Sequence, residues 1–370
     1  MPNSNDSSQR KYAVVLAAGS ARAAFQAGVL RYIGEHFPDF KPRVFTGISA
    51  GSINACYLAQ GEPFPESSVN LYKLWEQLSF DQVFQTNFTS IASMGMRWMY
   101  DLFVSKITRK LLLKSLLDAS PLAMTLLNNI HFWKISKAVQ MGVIDGVSVT
   151  ATNYHNGCST VFFDTHHGVE PWTREQRRSE RTNIRARHIM ASCSIPILFP
   201  PIRIGQSLYG DGSLRFNFPF SPALRLGATH PLAISIRPKK MDDVTKAVNP
   251  DHIGMGFIAG AVLNSIFSDS VEQDYENVCR INKFLGKDDR KVYPFLIRPS
   301  EDPSTIARYF RKEVPWHFRQ LIGSASGPDE SGDLLSYLMF SPGYIRALLA
   351  LGYNDAKAQH EEIRKALQLG

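Results

Sequence analysis

The chain has 370 residues, 44% of them hydrophobic and 20% charged. That is enough apolar material for a sizeable core, which excludes wholesale disorder, a collagen-like repeat and a small disulfide-held scaffold. Its 41 Lys and Arg outnumber 33 Asp and Glu for a net charge of +8, a surplus that favours contact with anionic surfaces, whether phosphate backbones or phospholipid headgroups.

Residues 1–10 are polar, with no apolar run after a basic start. They read as a disordered tail and not as a secretory signal, which predicts a cytoplasmic location. Tyr12 to Ala17 form a short apolar run ending at Ala18-Gly19-Ser20, after which Phe25, Val29, Ile33 and Phe37 recur every four residues: strand, turn, helix. A second unit follows in Val44-Phe45-Thr46, the turn Gly47 to Gly51 and a small-residue helix through Ile53, Tyr57 and Leu58, as in a parallel α/β sheet. Residues 70–140 are helical and rich in Met, Trp, Phe and Leu, with Met94, Met96, Trp98, Met99, Leu102 and Phe103 close together. They read either as a cap over a site or as core-facing helices.

Strand character returns at Gly146 to Thr152 and Ser159 to Phe163, and Asn156-Gly157 between them predicts a hairpin. Arg174, Arg177, Arg178, Arg181, Arg185 and Arg187 then form a basic segment, read as a solvated face or a membrane contact. Pro238 to Pro250 reads as a loop. Ile253 to Ala366 alternates helices with one strand at Val292 to Ile297, and Gly323 to Gly332 is a small-residue acidic loop. No stretch supplies the ~20 apolar residues that cross a bilayer. Cys56, Cys158, Cys193 and Cys279 form no CxxC pair and read as reduced thiols, not metal ligands.

The strongest chemical signal is Gly47-Ile48-Ser49-Ala50-Gly51, a G-x-S-x-G sequence between a predicted strand and a predicted helix, which is the setting of a nucleophile elbow. A serine near its free pKa needs a general base. His155, His188, His230 and His252 stand in no turn that resembles a catalytic loop. Asp211, between Gly210 and Gly212, is the other candidate, although Asp-Gly turns are frequent without function. Ser192 and Ser194 compete as nucleophiles on chemistry alone, but their setting before Ile195-Pro196 and Pro200-Pro201 reads as a packed turn.

Gly47 to Gly51, Ala191 to Pro201 and Asp211-Gly212, in that order, together resemble the patatin-like phospholipase family in its bacterial form. Leu16 to Leu30 resembles the family's glycine-rich loop and the helix after it. The likeness spans Tyr12 to Gly227, with weaker matches at Asp274 to Asn282, Ser336 to Phe340 and Leu351 to Asp355. It implies a three-layer α/β/α fold with a mostly parallel central sheet and added helices. It divides the chain into a tail (1–10), a catalytic core (11–230) with the cap-like segment 70–140, and a C-terminal part (231–370) packed on that core.

The resemblance further implies a lipid acyl hydrolase, a phospholipase A or esterase, in which Ser49 is the nucleophile and Asp211 the base of a dyad without histidine. The reaction passes through an acyl-enzyme and needs no metal or organic cofactor. Gly47 and Gly51 belong to the elbow, Gly210 and Gly212 to the acid loop, and Ala18, Gly19, Ser20 and Arg22 to the oxyanion hole. The expected partners are a lipid or phospholipid substrate and, peripherally, an anionic membrane.

The loop departs from the family pattern, because in Ala18-Gly19-Ser20-Ala21-Arg22-Ala23 only Gly19 and Arg22 match. Small residues there either keep the N–H donors aimed or tilt them away, and the second case makes the chain a weakened, lipid-binding or scaffold protein on the same fold. Arg22 either holds the loop, neutralises a substrate phosphate, or is an exposed helix arginine. A Ser-Asp-His hydrolase would require His230 or His252 as its third member. Nucleic acid is not an expected partner, because the basic residues lack interleaved aromatics or a recognisable module.

Overall fold

The computed structural model describes residues 10–84, 117–239, 255–268, 270–286, 291–315 and 332–368. The Met94 to Phe103 group, His252, the tail up to residue 9 and most of the two loops expected after residues 238 and 323 lie outside the described residues. The strands are β1 Tyr12–Leu16, β2 Val44–Ile48, β3 Gly146–Asn153, β4 Ser159–Thr165, β5 Thr173–Arg174, β6 Arg177–Arg181, β7 Ile202–Ile204, β8 Ser207–Asp211, β9 His230–Ile234 and β10 Phe295–Ile297. They form one sheet in the order β10-β9-β1-β2-β3-β4-β6-β5, with β8 on β3 and β7 on β8.

From β10 to β3 every pairing is parallel. β1 and β2 are buried along their whole length, so their sequences, YAVVL and VFTGI, lack the polar alternation of a half-wet strand. The fold is mixed α/β, with a mostly parallel central sheet flanked by helices. β9 and β10, from the C-terminal half of the chain, complete the sheet beside β1.

The Ala24–His36 helix lies against the Pro342–Ala358 helix at very close approach. A Cβ on Gly28 would strike the Leu349 carbonyl, and one on Gly352 would strike the Phe25 carbonyl. Glycine costs a helix interior about 0.5–1 kcal/mol relative to alanine, and here two of them let the backbones touch. Tyr353 and Glu35 close the same contact with a 2.8 Å hydrogen bond.

The expected hairpin is present: β3 and β4 are antiparallel, and Gly157 in the connection has a φ of +65° that suits glycine. Arg174, Arg177, Arg178 and Arg181 of the arginine segment fall on β5 and β6 at the outer edge of the sheet, and Arg185 and Arg187 stand at the start of the Ala186–Ser192 helix. The segment's arginine side chains are exposed or half-exposed, and such charges blunt an edge that would otherwise template another strand. The strand expected from Val292 pairs with β9 only at Phe295–Ile297.

One feature of the sheet decides where the chemistry sits. β2 pairs with β3 only as far as Ile48 opposite Thr150, while β4 holds the other edge of β3 to Thr152. β3 runs on past β2, and antiparallel β8 takes the vacated edge with Asp211 opposite Ala151. Ser49 follows Ile48 in the chain, so the register delivers Asp211 to the point where the serine turn begins.

Candidate active site

Ser49 joins β2 to the Ala50–Leu58 helix with φ 52° and ψ −130°. A non-glycine residue pays of order 1–3 kcal/mol for such a conformation and keeps it only where the surroundings dictate it. Gly47 and Gly51 are required by packing. A Cβ on Gly47 would enter the Gly51 backbone, and one on Gly51 would enter the Leu16 and Ala17 carbonyls. The Ser49 N–H donates to Ser192 Oγ at 2.8 Å, and the Ser192 hydroxyl donates to the Thr150 carbonyl at 2.6 Å. Ser52 Oγ donates to the Ser49 carbonyl at 2.6 Å.

Asp211, at the end of β8, is fully buried. Its N–H donates to the Ser194 carbonyl at 2.8 Å. Its Oδ1 accepts from the Ser213 N–H at 2.9 Å and from the Ser213 hydroxyl, whereas Oδ2 is buried with no hydrogen-bond partner. Burial pushes the carboxyl up to about 6, opposed by hydrogen bonding from Ser213 and from the Ser49 side chain. No hydrogen bond of ordinary geometry joins the Ser49 hydroxyl to Oδ2. Gly212 is also a packing requirement, since a Cβ there would collide with the Thr150 carbonyl, whereas one on Gly210 would meet only the ring end of the exposed Tyr154.

The loop after β1 places Ser20 beside Ser49 at the wall of one pocket. Ser20 has φ +48°, the left-handed region that favours glycine. Gly19 is extended in φ at 179°, and Ala18 has no positive φ, so of the two departures from glycine at positions 18 and 20 only Ser20 carries backbone strain. The Arg22 N–H donates to the Gly19 carbonyl at 2.9 Å and closes the short turn Ser20–Ala23. The N–H groups of Gly19 and Ser20 have no partner among the described residues.

Arg22 is 2% exposed, which overturns the reading of it as an exposed helix arginine. Its guanidinium is engaged with Ser336, Tyr337, Asn264 and Asp333 and is thereby tied to the C-terminal helices. Ser192 and Ser194 bond to backbone carbonyls of Thr150 and Met190, so both hold turns together.

The pocket is an open cleft with about 670 Å³ of space between its walls, a figure that includes the solvent at its mouth. Apart from Ser20, Ser49, Thr125, Asn129 and Cys193 its wall is apolar, with Ile53, Leu74, Trp75, Leu78, Val83, Phe84, Leu122, Leu126, Ile130, Ile195, Phe199 and Phe340 in it, and Phe84 stacks on Phe199. Several of these come from the described parts of segment 70–140, whose helices therefore line the site. Cys193 sits beside Ser49, and burial pushes its thiol up, which keeps it un-ionised.

The histidines stand elsewhere. His230 opens β9 opposite Tyr12, at the start of the parallel strands, whereas Ser49 lies six residues farther along by the register of β1 and β2, about 20 Å at ~3.3 Å per residue. His188 stacks on Phe162, and burial lowers both His188 and His230 to about 4. Among the described residues no group of His, Cys, Asp and Glu could hold a metal ion. Sequence reading missed the support from Ser192 and Ser213. The only hint of them was their place in or beside the blocks around Ala191 to Pro201 and Asp211-Gly212.

No curated protein matches the chain. Similar solved structures include VipD from Legionella pneumophila, at 13% identity and a TM-score of 0.40, covering 96% of this chain and 67% of that one. Human GIVD cytosolic phospholipase A2 in complex with methyl gamma-linolenyl fluorophosphonate is similar at 13% identity and a TM-score of 0.45, covering 97% of this chain and 59% of that one. The chain therefore spans about three fifths of the human enzyme's length. A sequence model of the patatin-like phospholipase family matches residues 14–224, a span that holds the loop after β1, the serine elbow, the Ala191 to Pro201 block and Asp211, and the chain belongs to that family.

Proposed function

We propose that the protein is a serine lipid acyl hydrolase that cleaves an acyl ester, a phospholipid's among them, through Ser49 and Asp211. The observation that carries this reading is the placement of a strained Ser49 at the wall of an apolar pocket, beside a buried carboxylate with one oxygen unpartnered. The acyl chain would lie among Trp75, Phe84, Leu126 and Phe199, each buried CH₂ contributing about 0.8 kcal/mol.

Asp211 Oδ2 takes the proton of the Ser49 hydroxyl as Oγ attacks the ester carbonyl. The oxyanion faces the N–H groups of Gly19 and Ser20, where one such donor is worth about 3–4 kcal/mol in comparable acyl-transfer sites. As the tetrahedral centre collapses, the ester C–O bond breaks and the leaving alcohol takes the proton from Asp211. Water then repeats the sequence on the Ser49 ester, releasing the fatty acid and restoring the serine. A base near 6 combines useful ionisation at neutral pH with more basicity than a carboxylate at its ordinary value.

Among the described residues no helix is long and apolar enough to cross a membrane. We propose that the protein meets its substrate at an anionic bilayer surface through the exposed arginine edge of β5 and β6.

The test of the dyad uses a chromogenic short-chain ester and a fluorophosphonate reagent. Wild type should turn over the ester and be labelled on Ser49, while Ser49→Ala and Asp211→Ala each lose most turnover. Because the two act as a unit, the double variant should be little worse than either single one. Near-normal turnover in folded Ser49→Ala protein sinks the assignment. A wild type that binds lipid yet neither turns over ester nor takes the label is a binding protein.

A further inference from the structure

We propose that Arg22 and the side chains that cage it, Ser336, Tyr337 and Asn264, are positioning residues for the oxyanion loop. The helices Met255–Ser268 and Gly332–Leu338 would then govern acyl transfer without touching substrate. The inference rests on the function proposed above.

Arg22 stands two residues after Ser20, in the same short turn. Its Nε donates to Ser336 Oγ at 2.8 Å, Nη1 to the Tyr337 hydroxyl at 3.2 Å and to Asn264 Oδ1 at 3.3 Å, and Nη2 to Asp333 Oδ1 at 3.4 Å. The guanidinium carbon lies 3.9 Å from the centre of the Tyr337 ring. The cage is itself braced, because the Tyr337 hydroxyl donates to Asn264 Oδ1 at 2.8 Å and the Ser336 hydroxyl to the Asp333 carbonyl at 2.6 Å.

A planar guanidinium held on three nitrogens has one orientation, and a buried one cannot leave its partners without stranding its charge. On the other side of Ser20, the Gln26 amide holds the Ala17 carbonyl at 2.8 Å. The loop is therefore pinned at both ends, and the strained Ser20 lies between the pins. Such strain persists only where surrounding structure over-determines it. A buried charge also adds little net stability compared with an apolar side chain of equal size, so what this network supplies is orientation.

The experiment reads loop exchange and turnover together in Tyr337→Phe and Asn264→Ala, with Arg364→Gln, on the remote His360–Ala366 helix, as control. Tyr337→Phe keeps the ring under the guanidinium and removes only the hydroxyl. Both variants should show faster amide hydrogen exchange over residues 17–23 and a kcat on a soluble short-chain ester about tenfold lower, with KM within about twofold and thermal melting near wild type. The control should match wild type in all of these. Unchanged loop exchange in both folded variants overturns the proposal, whatever happens to kcat, and so does faster exchange with kcat intact. Exchange needs no substrate. If wild type turns over no ester, the proposed function has failed, and faster exchange confined to residues 17–23 still supports Arg22 as the holder of this loop while unchanged exchange overturns it.

Discussion

The backbone N–H of Ser49 is held by the hydroxyl of Ser192 at 2.8 Å, and the same hydroxyl passes its own hydrogen to the Thr150 carbonyl on β3. One side chain thus staples the strained elbow to the strand that also receives Asp211. Ser192→Ala leaves a buried donor and a buried acceptor unpaired, a loss of about 1–3 kcal/mol. Denaturant unfolding should register that loss, and turnover should fall through kcat more than through KM. A variant with normal stability and normal kcat would show that the staple is dispensable.

The pH dependence follows from Asp211. A base must be deprotonated to act, so kcat/KM should rise as pH climbs through about 6 and level off above it. In stability the same group runs the other way. Its folded pKa lies above its ordinary 3.8, so its contribution is present in full below about 4 and is lost as pH rises through about 6. Asp211→Asn should therefore be inactive yet more stable than wild type at pH 7.5, by up to about 3 kcal/mol, with the gain gone at pH 4. Asp274, also raised to about 6 by burial, and the depressed His188 and His230 are common to both proteins and cancel in the comparison.

Positions 18 and 20 of the loop after β1 should respond differently to glycine. Ser20 has the left-handed φ, so Ser20→Gly relieves strain of roughly 1 kcal/mol. It should raise the melting temperature and leave kcat level or higher. Ala18 has no such φ, so Ala18→Gly only loosens the loop, with lower kcat expected. A β-branched Ser20→Val variant should lose both stability and turnover. Equal behaviour of the two glycine variants in one ester assay would contradict this division.

Among the described residues Arg174, Arg177 and Arg178 join no ion pair; Arg174 lies on the edge strand β5 and Arg177 and Arg178 on β6 next to it, where Arg177 stacks over Phe218. Each basic group near an anionic bilayer is worth about 1 kcal/mol. Reversal of all three to Glu should abolish co-sedimentation with phosphatidylserine vesicles at low salt while hydrolysis of a soluble ester continues. Unaltered vesicle binding would leave this edge as a solvated face.

The elements nearest the chemistry were the most legible in the sequence. β1, β2 and their helices announce themselves because apolar runs and four-residue spacing coincide with small-residue turns, and Asn156-Gly157 marks its hairpin because only certain residues tolerate the turn's backbone. β5 and β6 left no such trace. An edge strand exposed on both sides carries arginines where buried strands carry valine and leucine, so periodicity reports only charge. Arg22 keeps three alternatives in the sequence for a related reason, and burial removes only the exposed one. A charged residue says nothing of partners that lie more than three hundred positions later, and its burial became visible only once Tyr337 and Ser336 stood beside it. Ser192 was read as a packed turn, which is true of its surroundings, but its tie to Ser49 is a matter of register between β2, β3 and the helix it ends.

The glycine-to-glycine crossing of the Ala24–His36 and Pro342–Ala358 helices also has a time attached to it. Tyr353 and Glu35, which meet there, are 318 residues apart in sequence. At about 5–20 residues per second of synthesis the first helix waits roughly 15–60 s for its partner. Over that interval the face around Gly28 stays uncovered, and β1 lacks β9 on one side. The nascent chain thus carries an uncovered helix face long after Ser49 has been made.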